Sequence, residues 1–177
     1  KLGHAKYVRP YLLRGMEINR PNQVWATDIT YIPMAKGFMY LTAIIDVYSR
    51  YIVGWELSNN LYAEGVLDVL KKAIQRHGKP EIINSDQGAQ FTCPIWTEFL
   101  DKSGIQISMD GKGRATDNIY IERFWRTLKQ DYVYLNPALD GMELFNGIKE
   151  FIDYYNHKKS HQGIDRKIPV DLYKFVA

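Results

Sequence analysis

The chain has one cysteine, Cys93, in 177 residues. An internal disulfide is therefore impossible, and a cysteine-based zinc site is excluded. No run of 18 apolar residues occurs, so no segment reads as a membrane span. The opening residues Lys1-Leu2-Gly3-His4 lack an apolar signal core and an initiator Met, and a fragment of a longer chain is expected. Neither sign of charge dominates, since 23 Lys and Arg face 20 Asp and Glu for a net +3. That balance permits a nucleic-acid partner without demanding one, because a dedicated duplex binder is usually more basic. No internal repeat, low-complexity tract, phosphate-binding Gly-rich loop, or Ser-His-Asp or Cys-His arrangement is signalled. His157 and His161 are four apart, but no acidic motif accompanies them, so zinc is not indicated.

What is present is an ordinary globular composition, 46% apolar and 24% charged. A chain of this length buries roughly 70% of its unfolded surface without staples. Its 13 Tyr and 4 Trp are read first as core and interface packing. A reducing, cytoplasmic setting fits the single thiol.

Residues 1–20 are basic, contain Pro10, and read as a linker from something upstream. From Val24, the set Trp25, Thr27, Ile29 and Tyr31 alternates against Val24, Ala26, Asp28, Thr30 and Ile32, which is a strand signature. Phe38 to Val47 is almost continuously apolar, as in a strand buried on both faces. Tyr51, Val53, Trp55 and Leu57 alternate as a third strand, and the short turns make an antiparallel meander. A helix is expected over 61–77, stopped by Gly78-Lys79-Pro80. Then come a strand at Glu81–Ser85, a helix at 94–103 opened by Pro94, a strand at Ile105–Met109, and helices at 117–134 and 140–157. The order β-β-β-α-β-α-β-α-α predicts an α/β fold with one five-stranded mixed sheet, three antiparallel strands then parallel ones, flanked by helices. The expected division is a core over 21–135 and a C-terminal helical extension over 136–177.

Three carboxylates sit in unusual places. Asp28 is mid-strand, where Asp is depleted and an unpaired buried charge is costly. Asp86 lies at the carboxyl end of a short strand, where ligands gather in open α/β sheets. Glu122 lies on a helix whose apolar stripe is Ile121, Trp125, Leu128 and Tyr132, with Asn118, Arg126 and Lys129 sharing its flank. Taken singly, each acid has an ordinary reading as a salt bridge, a turn residue or a solvated flank. Together at one sheet edge they cannot all stay ionised without cations. Oxygen donors with little His or Cys nearby select Mg²⁺ or Mn²⁺. A pair of such ions suits an in-line phosphoryl displacement.

The stretch Pro21-Asn22-Gln23-Val24-Trp25-Ala26-Thr27-Asp28 resembles the first catalytic block of bacterial insertion-sequence transposases, members of the retroviral-integrase-like DDE superfamily. Ile45-Asp46-Val47-Tyr48-Ser49-Arg50 resembles the following strands, and Ser85-Asp86-Gln87-Gly88 the second acidic block. Asp117-Asn118 through Glu122-Arg123-Phe124-Trp125 resembles the third, with 35 residues between Asp86 and Glu122. Tyr155-Asn156, His161-Gln162 and Pro169 resemble the C-terminal block. Asn84, where many relatives have His, and Lys159-Ser160, where they often have Arg-Pro, depart from the pattern.

The resemblance implies a ribonuclease-H-like fold, with Asp28, Asp86 and Glu122 holding two Mg²⁺ ions (Mn²⁺ as substitute). It implies cleavage at element ends and strand transfer by a polynucleotidyl transferase in DNA transposition. It also implies DNA as partner, a homo-oligomer of at least two copies on DNA, and action in the bacterial cytoplasm at the nucleoid. Lys112, Arg114, Asn118, Arg126, Lys129, Lys158, Lys159 and His161 are the candidate DNA contacts. A hydrolytic nuclease of the same fold and a non-enzymatic DNA-binding module are the rival readings. Asp46 is read as a turn residue.

Overall fold

A computed structural model describes residues 7–111 and 115–174. Lys112 and Arg114 lie outside the described residues. Five strands form one sheet: β1 (Val24–Pro33), β2 (Phe38–Asp46), β3 (Ile52–Ser58), β4 (Ile82–Ser85) and β5 (Gln106–Met109), in the order β3-β2-β1-β4-β5. β1, β2 and β3 pair antiparallel, and β4 and β5 continue parallel from β1. This is the mixed sheet expected from the element order.

The strand alternation sets up two cores. Val24, Ala26 and Ile32 point to one face, where α3 (Ile119–Leu128) and α4 (Gly141–His157) pack. Trp25 and Ile29 point to the other, beneath α1 (Ala63–His77) and α2 (Pro94–Ser103). Residues Leu41–Val47 are buried without interruption because both faces of β2 are covered. A short α5 (Pro169–Tyr173), not foreseen from the sequence, closes the chain against α4.

Local chemistry explains the turns. Asp46 is fully buried and accepts hydrogen bonds from the backbone N–H of Asn22 (2.8 Å) and Ser49 (2.9 Å) and from the Ser49 hydroxyl (2.6 Å). It clamps the β2–β3 turn to the start of β1, as a turn aspartate does. Pro94 opens α2, and Gly104, at φ 69°, ends it in the left-handed region. The outer edge of β3 is met by Asn156 of α4. Its side chain accepts from Ile52 N at 2.8 Å and donates to Ile52 O at 3.1 Å, standing in for a strand.

One expectation needed correction. The helix expected over 117–134 is broken into a 3₁₀ turn at Ala115–Asn118, α3 itself, and a π-helical segment at Lys129–Val133. The widened segment presents Tyr132 to α4, where its ring stacks on Phe151. A Cβ on Gly147 would collide with the Tyr132 hydroxyl, so glycine is what lets the two elements meet. Over residues 7–20 the chain lies against the fold: Met109 N bonds to Pro10 O, Leu12 N bonds to the Ser108 hydroxyl, and Leu12, Leu13, Met16 and Ile18 pack on the α3–α4 core. Leu144, Ile148, Phe151, Ile152 and Tyr155 of α4 share that cluster.

Candidate active site

Asp28 owes its position to where the strands part company. β1 pairs with β4 only from Val24 to Ala26, and β4 ends at Ser85. Asp28 is therefore the first residue on its face of β1 beyond the shared ladder. Asp86 follows directly from the carboxyl end of β4. Its Oδ1 accepts from Gly88 N at 2.8 Å, so the turn holds the carboxylate. A Cβ at Gly88 would sit 2.8 Å from that oxygen, so a larger residue there would push the carboxylate aside.

α3 crosses this edge. Its buried face is Ile121, Phe124, Trp125 and Leu128, so Phe124 is an anchor absent from the expected stripe. Trp125 donates its indole N–H to Asp28 Oδ2 at 2.9 Å. Glu122 lies one turn away on the exposed side of the same helix. Burial, with a smaller push from the charges of Asp86 and Glu122, raises the Asp28 carboxyl to about 6 against the opposing Trp125 and Ile29 hydrogen bonds. The three acids thus share one electrostatic neighbourhood. Among the described residues no three Asp, Glu, His or Cys side chains stand close enough together to hold a metal ion. The donor chemistry of three hard carboxylates that repel one another nonetheless suits a divalent oxygen-seeking cation.

Asp110 is a fourth acid that sequence reasoning missed. Its backbone N–H bonds to Ser85 O, which continues the β4–β5 ladder and holds it at the same sheet edge. Burial pushes its carboxyl up to about 7, helped by Asp117, Asp86 and Asp28 and opposed by a 2.8 Å hydrogen bond from Asn84 Nδ2. Asn84 itself is fully buried, and its Oδ1 has no partner. The only available sequence signal was an acid directly following a short strand, the same signal that singled out Asp86.

The candidate DNA contacts separate into two groups. Arg126 and Lys158 are exposed. Lys129 reaches back to β1, with Nζ 2.8 Å from the Thr30 hydroxyl and 5.0 Å from the Tyr31 ring centroid. Asn118 is not on the solvated flank. It is 4% exposed, and its amide donates to Thr27 O at 3.3 Å, because the 3₁₀ turn rotates it inward under β1. Lys159 pairs with Asp131 at 3.4 Å. His161 is half-buried with its ring 4.3 Å from that of Tyr155, and burial lowers its pKa, so it is a packed ring rather than a free surface side chain. Among the described residues no helix is long and apolar enough to cross a membrane.

A family model of the integrase core domain matches residues 18–115, and a second of the same description matches 103–169. The transposase for insertion sequence element IS904 of Lactococcus lactis is 37% identical over 178 residues, spanning 97% of this chain and 69% of that protein. The putative transposase InsK for IS150 of Escherichia coli is 31% identical, spanning 90% and 57%. Among solved structures, a chain of the simian T-cell lymphotropic virus intasome superposes with a TM-score of 0.77 at 20% identity, covering 90% of this chain and 56% of its own length. The HTLV-2 integrase catalytic core in complex with magnesium superposes with a TM-score of 0.68 at 22% identity, covering 87% and 97%. The acids at the sheet edge therefore sit in a ribonuclease-H-like fold, and the chain belongs to the integrase core domain family, alongside the bacterial insertion-sequence transposases.

Proposed function

We propose that this chain is the catalytic core of a transposase that cuts DNA and joins the new 3′ end to a second strand, using divalent cations held by Asp28, Asp86 and Glu122. The observation that carries the reading is the placement of Asp28 on β1 just past the shared β1–β4 ladder, with Asp86 directly after the end of β4, in a chain of the integrase core family; the raised pKa of Asp28 agrees with it. An acid destabilised in that way without cations is poised to take them up. Bound there, Mg²⁺ or Mn²⁺ supplies Lewis acidity that activates the attacking hydroxyl and neutralises the leaving oxygen.

The chain's own groups do the rest. β1 and the Trp125 hydrogen bond fix Asp28, while the Gly88 N–H fixes one oxygen of Asp86. Glu122 is carried on the exposed side of α3, where DNA can approach. Lys129 and Arg126 offer cations to the phosphate backbone, and Asn118 braces the start of α3 against Thr27 rather than touching DNA. The acting unit is at least a dimer on paired DNA ends.

The test is a preformed branched DNA resembling a joined product, supplied with Mg²⁺ or Mn²⁺. Wild type is expected to break and rejoin it, and a chelator to stop the reaction. Asp28→Asn and Glu122→Gln should lose nearly all joining while still shifting DNA in a gel. Joining at the wild-type rate by Asp28→Asn would overturn the reading. Cleavage without any joining would move the chain to the hydrolytic nucleases.

A further inference from the structure

The outer half of the β1–β2 hairpin carries aromatic side chains that no core uses. Tyr31 is 62% exposed and Phe38 51% exposed. Their rings meet edge-on at 6.1 Å, and Phe38 meets Tyr40 at 5.2 Å. Tyr31 and Tyr40 are register partners, so they lie side by side on one face of the sheet. Exposed contiguous aromatic surface of this kind marks a recognition site more often than an accident of packing.

The ladder opens onto a cavity. A space of about 310 Å³ is lined by Tyr31, Tyr40, Leu61 and Gln90 and is shared with Asp28 and Asp86. It exists because β4 stops at Ser85 while β1 continues to Pro33, which leaves the outer part of β1 without a neighbour on that side among the described residues. Gln90 closes the wall, its Nε2 donating to Leu61 O at 3.2 Å. Lys129 stands over the Tyr31 ring and bonds to Thr30, which places a cation between the aromatic ladder and Asp28.

The chemistry of the lining decides the occupant. An apolar protein segment laid here would strip water from Asp28 and Asp86 without pairing them, which is costly. A nucleotide matches the lining and its margin: a flat π-face for Tyr31 and Tyr40, the Gln90 amide oxygen for a donor on the base edge, and, outside the lining beside Thr30 and Tyr31, Lys129 for a phosphate. A duplex presents its bases stacked and covered, so the occupant must be a base that has left the stack.

We propose that this cavity receives one unstacked nucleobase of the strand whose phosphate is processed at Asp28 and Asp86. The site holds the strand by its base next to the reacting phosphodiester, and it reads the absence of pairing rather than a particular sequence. This rests on the DNA-joining reading above. It goes beyond that reading by naming the ligand as an unpaired nucleotide and its platform as the β1–β2 hairpin.

The experiment is a cycle of protein and DNA changes on the full chain, read by equilibrium binding in Ca²⁺. The DNA is the branched substrate, with a single abasic residue moved through each position flanking the joint. At one position wild type should bind the abasic DNA roughly 5- to 100-fold more weakly, the range expected for one lost base–aromatic stack. Tyr31→Ala should bind the intact DNA equally weakly and no longer distinguish it from the abasic form, whereas Tyr31→Phe should behave as wild type. Tyr31 is exposed, so both variants should keep the wild-type melting temperature. Binding in which every abasic DNA equals the intact one would overturn the base pocket and leave the joining reading standing. Failure to bind any branched DNA would overturn both. Self-association of wild type that Tyr31→Ala abolishes would reassign the aromatic ladder to a contact between copies.

Discussion

The indole N–H of Trp125 and the Asp28 carboxylate meet at 2.9 Å across 97 residues of sequence. This hydrogen bond joins the helix that carries Glu122 to the strand that carries Asp28. It favours the ionised form of a carboxyl that burial works to protonate. Trp125→Phe keeps the packing and removes the donor. The acidic limb of the pH–joining profile should move upward, because Asp28 then ionises only at higher pH. A hydrogen bond to a charged group is worth roughly 1.5–3 kcal/mol, so a shift of about one to two pH units is expected. An unmoved profile would show that the indole does not tune Asp28.

Cation-free protein should lose stability as pH rises through the Asp28 transition. A free aspartate titrates near 3.8, whereas Asp28 in the fold titrates near 6. Between those values the folded state binds more protons than the unfolded one, so the slope of unfolding free energy against pH is negative. The loss amounts to about 3 kcal/mol for this one group. Chemical denaturation at pH 4.5 and 7.5 in a chelator should read about 2 kcal/mol of it, since part of the loss falls below pH 4.5. Added Mg²⁺ should recover stability at pH 7.5 and have little effect at pH 4.5, where the carboxyl is already neutral.

Asp110→Asn should stabilise the cation-free protein at alkaline pH. The new amide can donate to the buried Asn84 Oδ1, which has no partner, while Asn84 keeps its own donation. Satisfying a buried polar atom is worth roughly 1–3 kcal/mol, or about 2–10 °C in melting temperature at this chain length. The gain should be clear at pH 8.5 and shrink at pH 5.5, because wild-type Asp110 titrates near 7 and is protonated there. Thermal melts at the two pH values decide it, and equal gains at both would argue against the charge as the cause.

Gly147→Ala should destabilise the fold without altering the acids. Its methyl would strike the Tyr132 hydroxyl, the ring that the π-helical segment turns toward α4. Overpacking of this kind costs roughly 1–3 kcal/mol. Tyr132→Phe in the same chain removes the struck oxygen and should return part of the loss. Denaturation midpoints of the two variants and their combination give the coupling directly.

Much of the fold was legible because its signals are local. The two-residue alternation of β1, the unbroken apolar run of β2, Pro94 and Gly104 around α2, and the Gly78-Lys79-Pro80 stop after α1 each act within a few residues. Asp28 and Asp86 stood out for the same reason, as acids on or directly after strands. The sequence by itself therefore determined the order of elements and the acids that a parallel β1–β4 pair would bring together. Tertiary structure decided what no local rule contains. Asn118 turned inward because a 3₁₀ turn precedes α3, and His161 became a packed ring because Tyr155 lies against it. Asp110 joined the acids because the β4–β5 ladder extends to its N–H. The cavity beneath Tyr31 exists because β4 is shorter than β1. Burial, register and strand length are properties of contacts between distant segments, and they set the charge states and openings in which the chemistry would take place.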